Sequence, residues 1–193
     1  MKIRKARAIE LDKIEELFDN GRKFMRAHGN TNQWINGYPS RALLEEDIEF
    51  GRLFVAVDDG SDGAAGSAGS GSAAGSEKED ESEILAVFAY ILGDDPTYQV
   101  IESGTWLNDK PYGTIHRLVS SGKVPKIAQF VFDWALDQCD NLRGDTHSDN
   151  YVMQSVAEEF GFKMCGIIHL ENGDPRVAYH VTKELRQKVK ETE

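Results

Sequence analysis

The sequence predicts a mixed α/β domain built on one central sheet with flanking helices, and two observations predict it. Between Thr114 and Ile168 the chain runs strand, basic turn, amphipathic helix, strand, helix and strand without a break. Upstream, the apolar segments Leu53–Val57 and Ile84–Leu92 flank a tract that cannot pack a core, so they read as antiparallel neighbours. Two adjacent strands that each run into a helix leave free backbone N–H groups and positive helix ends at one sheet edge. A phosphorylated ligand can be held there.

Each element has its own signal. Ile3 to Ala6 reads as a short strand. Leu11, Ile14, Leu17, Phe18, Gly21 and Met25 form one stripe of a first helix, with Asp12, Glu15 and Glu16 placing negative charge toward its N-terminal end. A loop follows through Trp34 to Pro39, and Ser40 can cap a second helix that buries Leu43, Leu44 and Ile48 and stops at Gly51. After the paired strands comes a long loop with Pro96, Trp106 and Pro111, then a strand over 114–119. Helix three carries Ile127, Phe130, Val131 and Trp134 at helical spacing. The strand 142–147 precedes helix four, opened by Asn150, lined by Met153, Val156, Ala157 and Phe160, and stopped by Gly161. Strands over 162–168 and 177–181 close the set.

Size and charge narrow the function. The 193 residues fit one domain, 1–193, carrying a flexible Gly/Ser/Ala and acidic insertion at about 59–83. Loop-closure entropy grows only logarithmically with length, so such an insertion costs little. The formal net charge of −11 argues against a nucleic-acid-coating surface and permits a cationic acceptor. No run of about 18 apolar residues occurs, which predicts a soluble cytoplasmic protein without a membrane partner. Cys139 and Cys165 lack metal or disulfide-framework spacing and are expected as reduced, small apolar residues.

Strand alternation puts Thr114, His116 and Leu118 on one face and Ile115, Arg117 and Val119 on the other, while Arg143, Asp145 and His147 share a face of the next strand. That polar face is either part of a cleft or a satisfied structural network. The turn Ser120-Ser-Gly-Lys-Val-Pro-Lys126 combines Gly122 for a tight bend, Pro125 near a first helical position, and Lys123 and Lys126 beside a helix N-terminus. It either grips a pyrophosphate or simply connects strand to helix.

Taken together these segments resemble the GNAT superfamily of acyl-CoA-dependent N-acyltransferases. The resemblance rests on Ile3-Arg-Lys-Ala-Arg-Ala-Ile-Glu-Leu-Asp12 leading into a helix, on Thr114-Ile-His-Arg-Leu-Val119, and on Leu142-Arg-Gly-Asp-Thr-His-Ser-Asp-Asn150 leading to Gly161-Phe162. It implies a mostly antiparallel sheet splayed between the strands at 114–119 and 142–147, diverging after Leu118. It implies acetyl-CoA as cosubstrate, with no metal, held by Leu118, Val119, Gly122, Lys123, Val124, Lys126, Ile127, Ala128 and Asn150. The loops carrying Trp34, Tyr38, Trp106 and Tyr112 would wall the pocket of a small-molecule or peptide amine, and a homodimer is the family-level expectation.

Two positions depart from the family pattern. Its phosphate signature falls on Lys123, Lys126 and Ala128, of which only the last conforms; lysine replaces a glycine, and Pro125 offers no N–H. Either Lys126 swings outward and supplies its ammonium or coenzyme binding is weakened. The helix-four tyrosine that protonates the thiolate in many members is Ala157, and Tyr151, six residues earlier, points elsewhere. A thiol with a reference pKa of about 8.5 can still depart without a dedicated acid. His116 is the first candidate for taking the amine proton and Glu102 the second, with a backbone N–H near Val119 as oxyanion donor. The expected activity is direct acetyl transfer to a primary amine; the alternative is a catalytically impaired ligand-binding or interaction module of the same fold.

Overall fold

The computed structural model describes residues 1–58 and 82–192, so most of the insertion lies outside the described residues. Among the described residues, seven strands form one sheet: β1 (Lys2–Lys5), β2 (Leu53–Val57), β3 (Ile84–Leu92), β4 (Gly113–Ser120), β5 (Asn141–Thr146), β6 (Lys163–His169) and β7 (Pro175–Thr182). Their spatial order is β1-β2-β3-β4-β5-β7-β6. Every pairing is antiparallel except that of β4 with β5. The strands on either side of the insertion pair as expected, from Leu53↔Ala89 to Val57↔Ile84.

Helices α1 (Leu11–Ala27) and α2 (Arg41–Glu49) cover one face, and α3 (Ile127–Gln138) and α4 (Tyr151–Phe160) the other. Ser40 caps α2 by accepting from the Leu43 N–H at 3.3 Å, Asn150 caps α4 by accepting from Met153 at 3.2 Å, and Gly161 ends α4 with φ of 115°. A fifth helix, α5 (Lys183–Lys190), was not expected. Its mostly charged sequence hides it, but Thr182 accepts from the Leu185 N–H as its cap.

Ile14, Phe18 and Leu44 bury the first face against Val55, Val87 and Val119. Gly21 lets α1 lie close on β4, since a Cβ there would stand 2.6 Å from Val119 Cγ2. On the second face Val131, Ala135 and Phe160 meet Phe88, Leu142 and Val181. A smaller cluster of Tyr98, Tyr112, Ile168 and Ala178 sits under the loop before β4, with Trp106 against it.

Two details of β4 correct the sequence reading. Arg117 has φ of 55°, and the register jumps from Ala89↔His116 to Val87↔Val119, so one residue is extra. The bulge breaks the alternation: Leu118 joins Ile115 on the α3 side, while Val119 packs toward α1 and Arg117 bonds Asp47 of α2. The parallel pairing with β5 covers only Gly113↔Leu142 and Thr114↔Arg143, so the sheet opens four residues before Leu118.

Asp47 is 1% exposed and serves both Arg117 and Arg52 Nε, the latter at 3.3 Å. Asp47→Ala leaves the largely covered Arg117 guanidinium without its carboxylate and should cost roughly 3 kcal/mol in chemical denaturation. His180, fully buried, accepts from the Leu107 N–H at 3.2 Å and lies 3.2 Å from Asn141 Oδ1. Burial first, and the Arg143 charge second, press its pKa down from 6.5 to about 4. Below pH 6.5 the unfolded chain binds a proton that the folded chain refuses, so stability falls as pH drops from 6.5 toward 4, by about 3 kcal/mol in all. Denaturation midpoints across that range should show this slope, and His180→Gln should flatten it.

Candidate active site

The early end of β4–β5 pairing creates the cleft. Among the described residues, the β4 edge on the β5 side has no strand partner from Ile115 to Ser120, and its main chain is open to a ligand. A cavity of about 1220 Å³ occupies the opening, with Leu118, Ala128, Phe132, Met153 and Ala157 in its wall.

At the α3 end, the turn after β4 is shaped by two serines. The Gly122 N–H donates to Ser120 Oγ at 3.0 Å and the Lys123 N–H to Ser121 Oγ at 3.4 Å. Lys126 caps α3 with φ of 58°, the left-handed conformation that glycine adopts without strain. The first turn of α3 has N–H groups with no helical acceptor, and Lys126, Ile127, Ala128 and Gln129 line the cavity beside them. These groups suit a phosphate.

At the other end, His116 Nε2 stands 3.0 Å from Asp95 Oδ2. The Thr97 N–H and hydroxyl donate to Asp95 Oδ1 at 2.9 and 2.6 Å. Burial alone would raise the Asp95 pKa, but the bonds from His116 and Thr97 outweigh it and hold the carboxyl at about 2. Asp145 of β5 takes a bond from the buried Tyr98 hydroxyl at 2.8 Å and lies 3.8 Å from Arg176 Nε. Burial pushes Asp145 above the usual carboxylate range, against the pull of His116, Tyr98 and Arg176.

No family model matches the sequence, and no curated protein matches it. Solved structures do. An acetyltransferase of the GNAT family from Streptococcus agalactiae 2603 is 28% identical, with 94% of this chain and 95% of that one covered and a TM-score of 0.76. The chain belongs to the GNAT superfamily. At fold level it is also similar to an aminoglycoside acetyltransferase in complex with coenzyme A and kanamycin, at 13% identity, 98% coverage of both chains and a TM-score of 0.58. The NatC complex bound to Gag peptide and coenzyme A is 16% identical over 94% of this chain and 99% of that chain, with a TM-score of 0.51.

The GNAT cleft gathers most of the residues read from the sequence. His116, Leu118, Val119, Gly122, Val124, Lys126, Ile127, Ala128, Asn150, Trp34 and Tyr38 all line the cavity. Lys123 does not; its ammonium pairs with Glu83 at the surface. Nor does Glu102, whose backbone exchanges hydrogen bonds with Ile167 at 2.8 and 2.9 Å and whose exposed carboxylate lies 4.0 Å from His169. Trp106 and Tyr112 are likewise outside the wall. Their rings take the Arg143 guanidinium, at 4.3 and 4.0 Å from the centroids, which ties the loop before β4 to the sheet. Asn150 is at the cavity with both ends of its amide engaged, Oδ1 by Met153 and Nδ2 by Gln33 Oε1 at 2.9 Å.

Among the wall residues that the sequence reading did not name for the site are the polar Asp95, Thr97, Asp145 and Arg176. Asp145 stood in the polar face of β5, and Asp95 before Pro96 carries a turn signal; Arg176 had no local signal at all.

The Lys126 backbone allows a direct check. Lys126→Gly relieves left-handed strain and should stabilise the fold by about 1 kcal/mol in denaturant titrations. If the lysine cation also serves the site, the same variant should bind acetyl-CoA more weakly in calorimetry.

Proposed function

We propose that the protein transfers an acetyl group from acetyl-CoA to a primary amine by direct attack, without a covalent enzyme intermediate. The observation that carries this reading is the unpartnered β4 edge over 115–120, lying between the open first turn of α3 and the His116–Asp95 pair. The likeness to proteins solved with coenzyme A and an amine-bearing acceptor supports it.

The free main chain of β4 suits the amides of a pantetheine arm, and α3's first turn with Lys126 suits the phosphates. The thioester supplies an activated acetyl carbon and a thiolate leaving group. A backbone N–H near Val119 is the donor for the carbonyl oxygen as charge builds there. His116 takes the proton of the attacking amine, and Asp95, ionised at neutral pH, orients the imidazole and steadies the imidazolium. Ala157 brings no hydroxyl to the thiolate, and the low basicity of a thiol makes that tolerable at some loss of rate. Acceptor amines would enter past Trp34 and Tyr38.

Ala157 also favours a second reading, in which the cleft binds coenzyme without turnover. Titration calorimetry and thiol release separate the two. Acetyl-CoA should bind, an amine panel should release thiol, and His116→Ala should lower kcat by about 10²-fold or more. No heat with acetyl-CoA removes both readings, binding without thiol release leaves the second, and an unchanged His116→Ala rate dismisses the base.

A further inference from the structure

The wall of the cavity beyond His116 contains a carboxylate that the mechanism does not use. Asp145 stands on β5, across the opening from His116, with its side chain 12% exposed. Its two oxygens differ. Oδ1 is fixed by the Tyr98 hydroxyl at 2.8 Å, and Tyr98 is itself fully packed among Trp106, Tyr112 and Ile168. Among the described residues Oδ2 has no hydrogen-bond donor: Arg176 Nε, at 3.8 Å, lies beyond hydrogen-bonding distance, and His116 acts on the carboxylate through its charge. Oδ2 is not among the fully buried atoms, so this weakly solvated oxygen can take a donor from a ligand in the cavity.

The charges around it restrict what that ligand can be. Asp95 and Asp174 line the same cavity, as do the guanidiniums of Arg176, Arg143 and Arg117. Arg143 lies on the Trp106 and Tyr112 rings and donates to the Asn108 carbonyl, and Arg117 is paired with Asp47. Arg176 is already shared among Asp145, Asp174 Oδ2 at 3.5 Å and the Pro175 carbonyl at 3.1 Å. An incoming ammonium offers N–H donors and a compensating charge. A carboxylate beside that ammonium would face the like charges of Asp95, Asp145 and Asp174, while the guanidiniums of the cavity are already engaged by protein groups. Ile35 and Tyr38, half-exposed on the same cavity, suit an apolar arm on the amine.

We infer that Asp145, through Oδ2, anchors the acceptor's ammonium and selects primary alkylamines that carry no neighbouring carboxylate, over α-amino acids. This rests on the acetyl-transfer reading of the same cavity. The ammonium docks on Asp145, one proton passes to His116, the neutral amine attacks the thioester carbon, and the C–S bond breaks as the second N–H proton goes to the departing thiolate. Tyr98 acts as a positioning residue by holding Oδ1.

A matched pair of acceptors tests it: butylamine and norvaline, which differ by one α-carboxylate. Wild-type protein should show kcat/KM at least tenfold higher for butylamine. Asp145→Asn should raise the butylamine KM about tenfold or more while KM for acetyl-CoA stays within twofold. Tyr98→Phe should give a smaller rise in the same parameter, and it serves alone if Asp145→Asn fails to fold by circular dichroism. Equal or better use of norvaline overturns the inference, as does an unchanged butylamine KM in the folded variants. Absence of thiol release with every amine defeats the acetyl-transfer reading instead. In that event, calorimetry of butylamine and norvaline against wild-type and variant protein still decides the role of Asp145: binding of butylamine lost in Asp145→Asn supports it, and binding unaffected by the substitution overturns it.

Discussion

The site depends on the failure of β4 and β5 to stay paired. Two parallel pairs join them, at Gly113 and Thr114, and then β4 bends away at the Arg117 bulge. A left-handed arginine costs on the order of 1 kcal/mol or more, so something must hold it there. Asp47, on the buried side of α2, takes the guanidinium, and the Tyr38 hydroxyl accepts from the same side chain at 3.2 Å. The energetic cost of leaving a strand edge open is thus offset where β4 meets the α1–α2 layer. Ligand amides can then complete what the neighbouring strand does not.

Because the sheet no longer closes the opening, side chains hold its walls in register. The loop between α1 and α2 supplies them. Gln33 Oε1 accepts from Asn150 Nδ2 at 2.9 Å and from Asn30 Nδ2 at 2.8 Å, and Asn32 Nδ2 donates to Asp149 at 2.9 Å. Arg22 of α1 donates to the Tyr38 carbonyl at 2.9 Å. The loop therefore touches α1, β4 and the start of α4 at once. Asn150, read from the sequence as a coenzyme contact, is built here into the joint between that loop and α4.

The sequence made regular elements legible where side chains act locally. Ser40, Asn150 and Gly161 set helix ends by bonds spanning three or four residues, and all three ends are where their chemistry puts them. The pairing of β2 with β3 across the insertion was equally legible, because both are apolar throughout and nothing between them can pack. The bulge was not. Nothing around Arg117 distinguishes it from an ordinary strand position, since its cause, Asp47, lies 70 residues away. A single extra residue then moved Leu118 to the opposite face from the one that strict alternation gives. The same distance problem explains Trp106 and Tyr112. Large aromatics in a loop read as pocket walls until Arg143, from another strand, is seen lying on both rings.

The two carboxylates near His116 show how one cavity can give the same functional group different surroundings. Asp95 receives three hydrogen bonds, two from Thr97 and one involving His116, so its charged form is favoured despite burial. Asp145 receives one, from Tyr98, and burial prevails. A saturated carboxylate can orient a histidine but has little capacity left for a ligand. An undersaturated one is the reverse: poorly solvated, held at one oxygen, and best stabilised by donors that arrive from outside. The difference arises from the elements that carry them. Asp95 opens a tight turn whose own N–H and hydroxyl groups fold back on it, whereas Asp145 sits on the strand whose neighbour has departed. The split that frees the β4 edge thus leaves β5 with a carboxylate bonded at one oxygen, on the other side of the same gap.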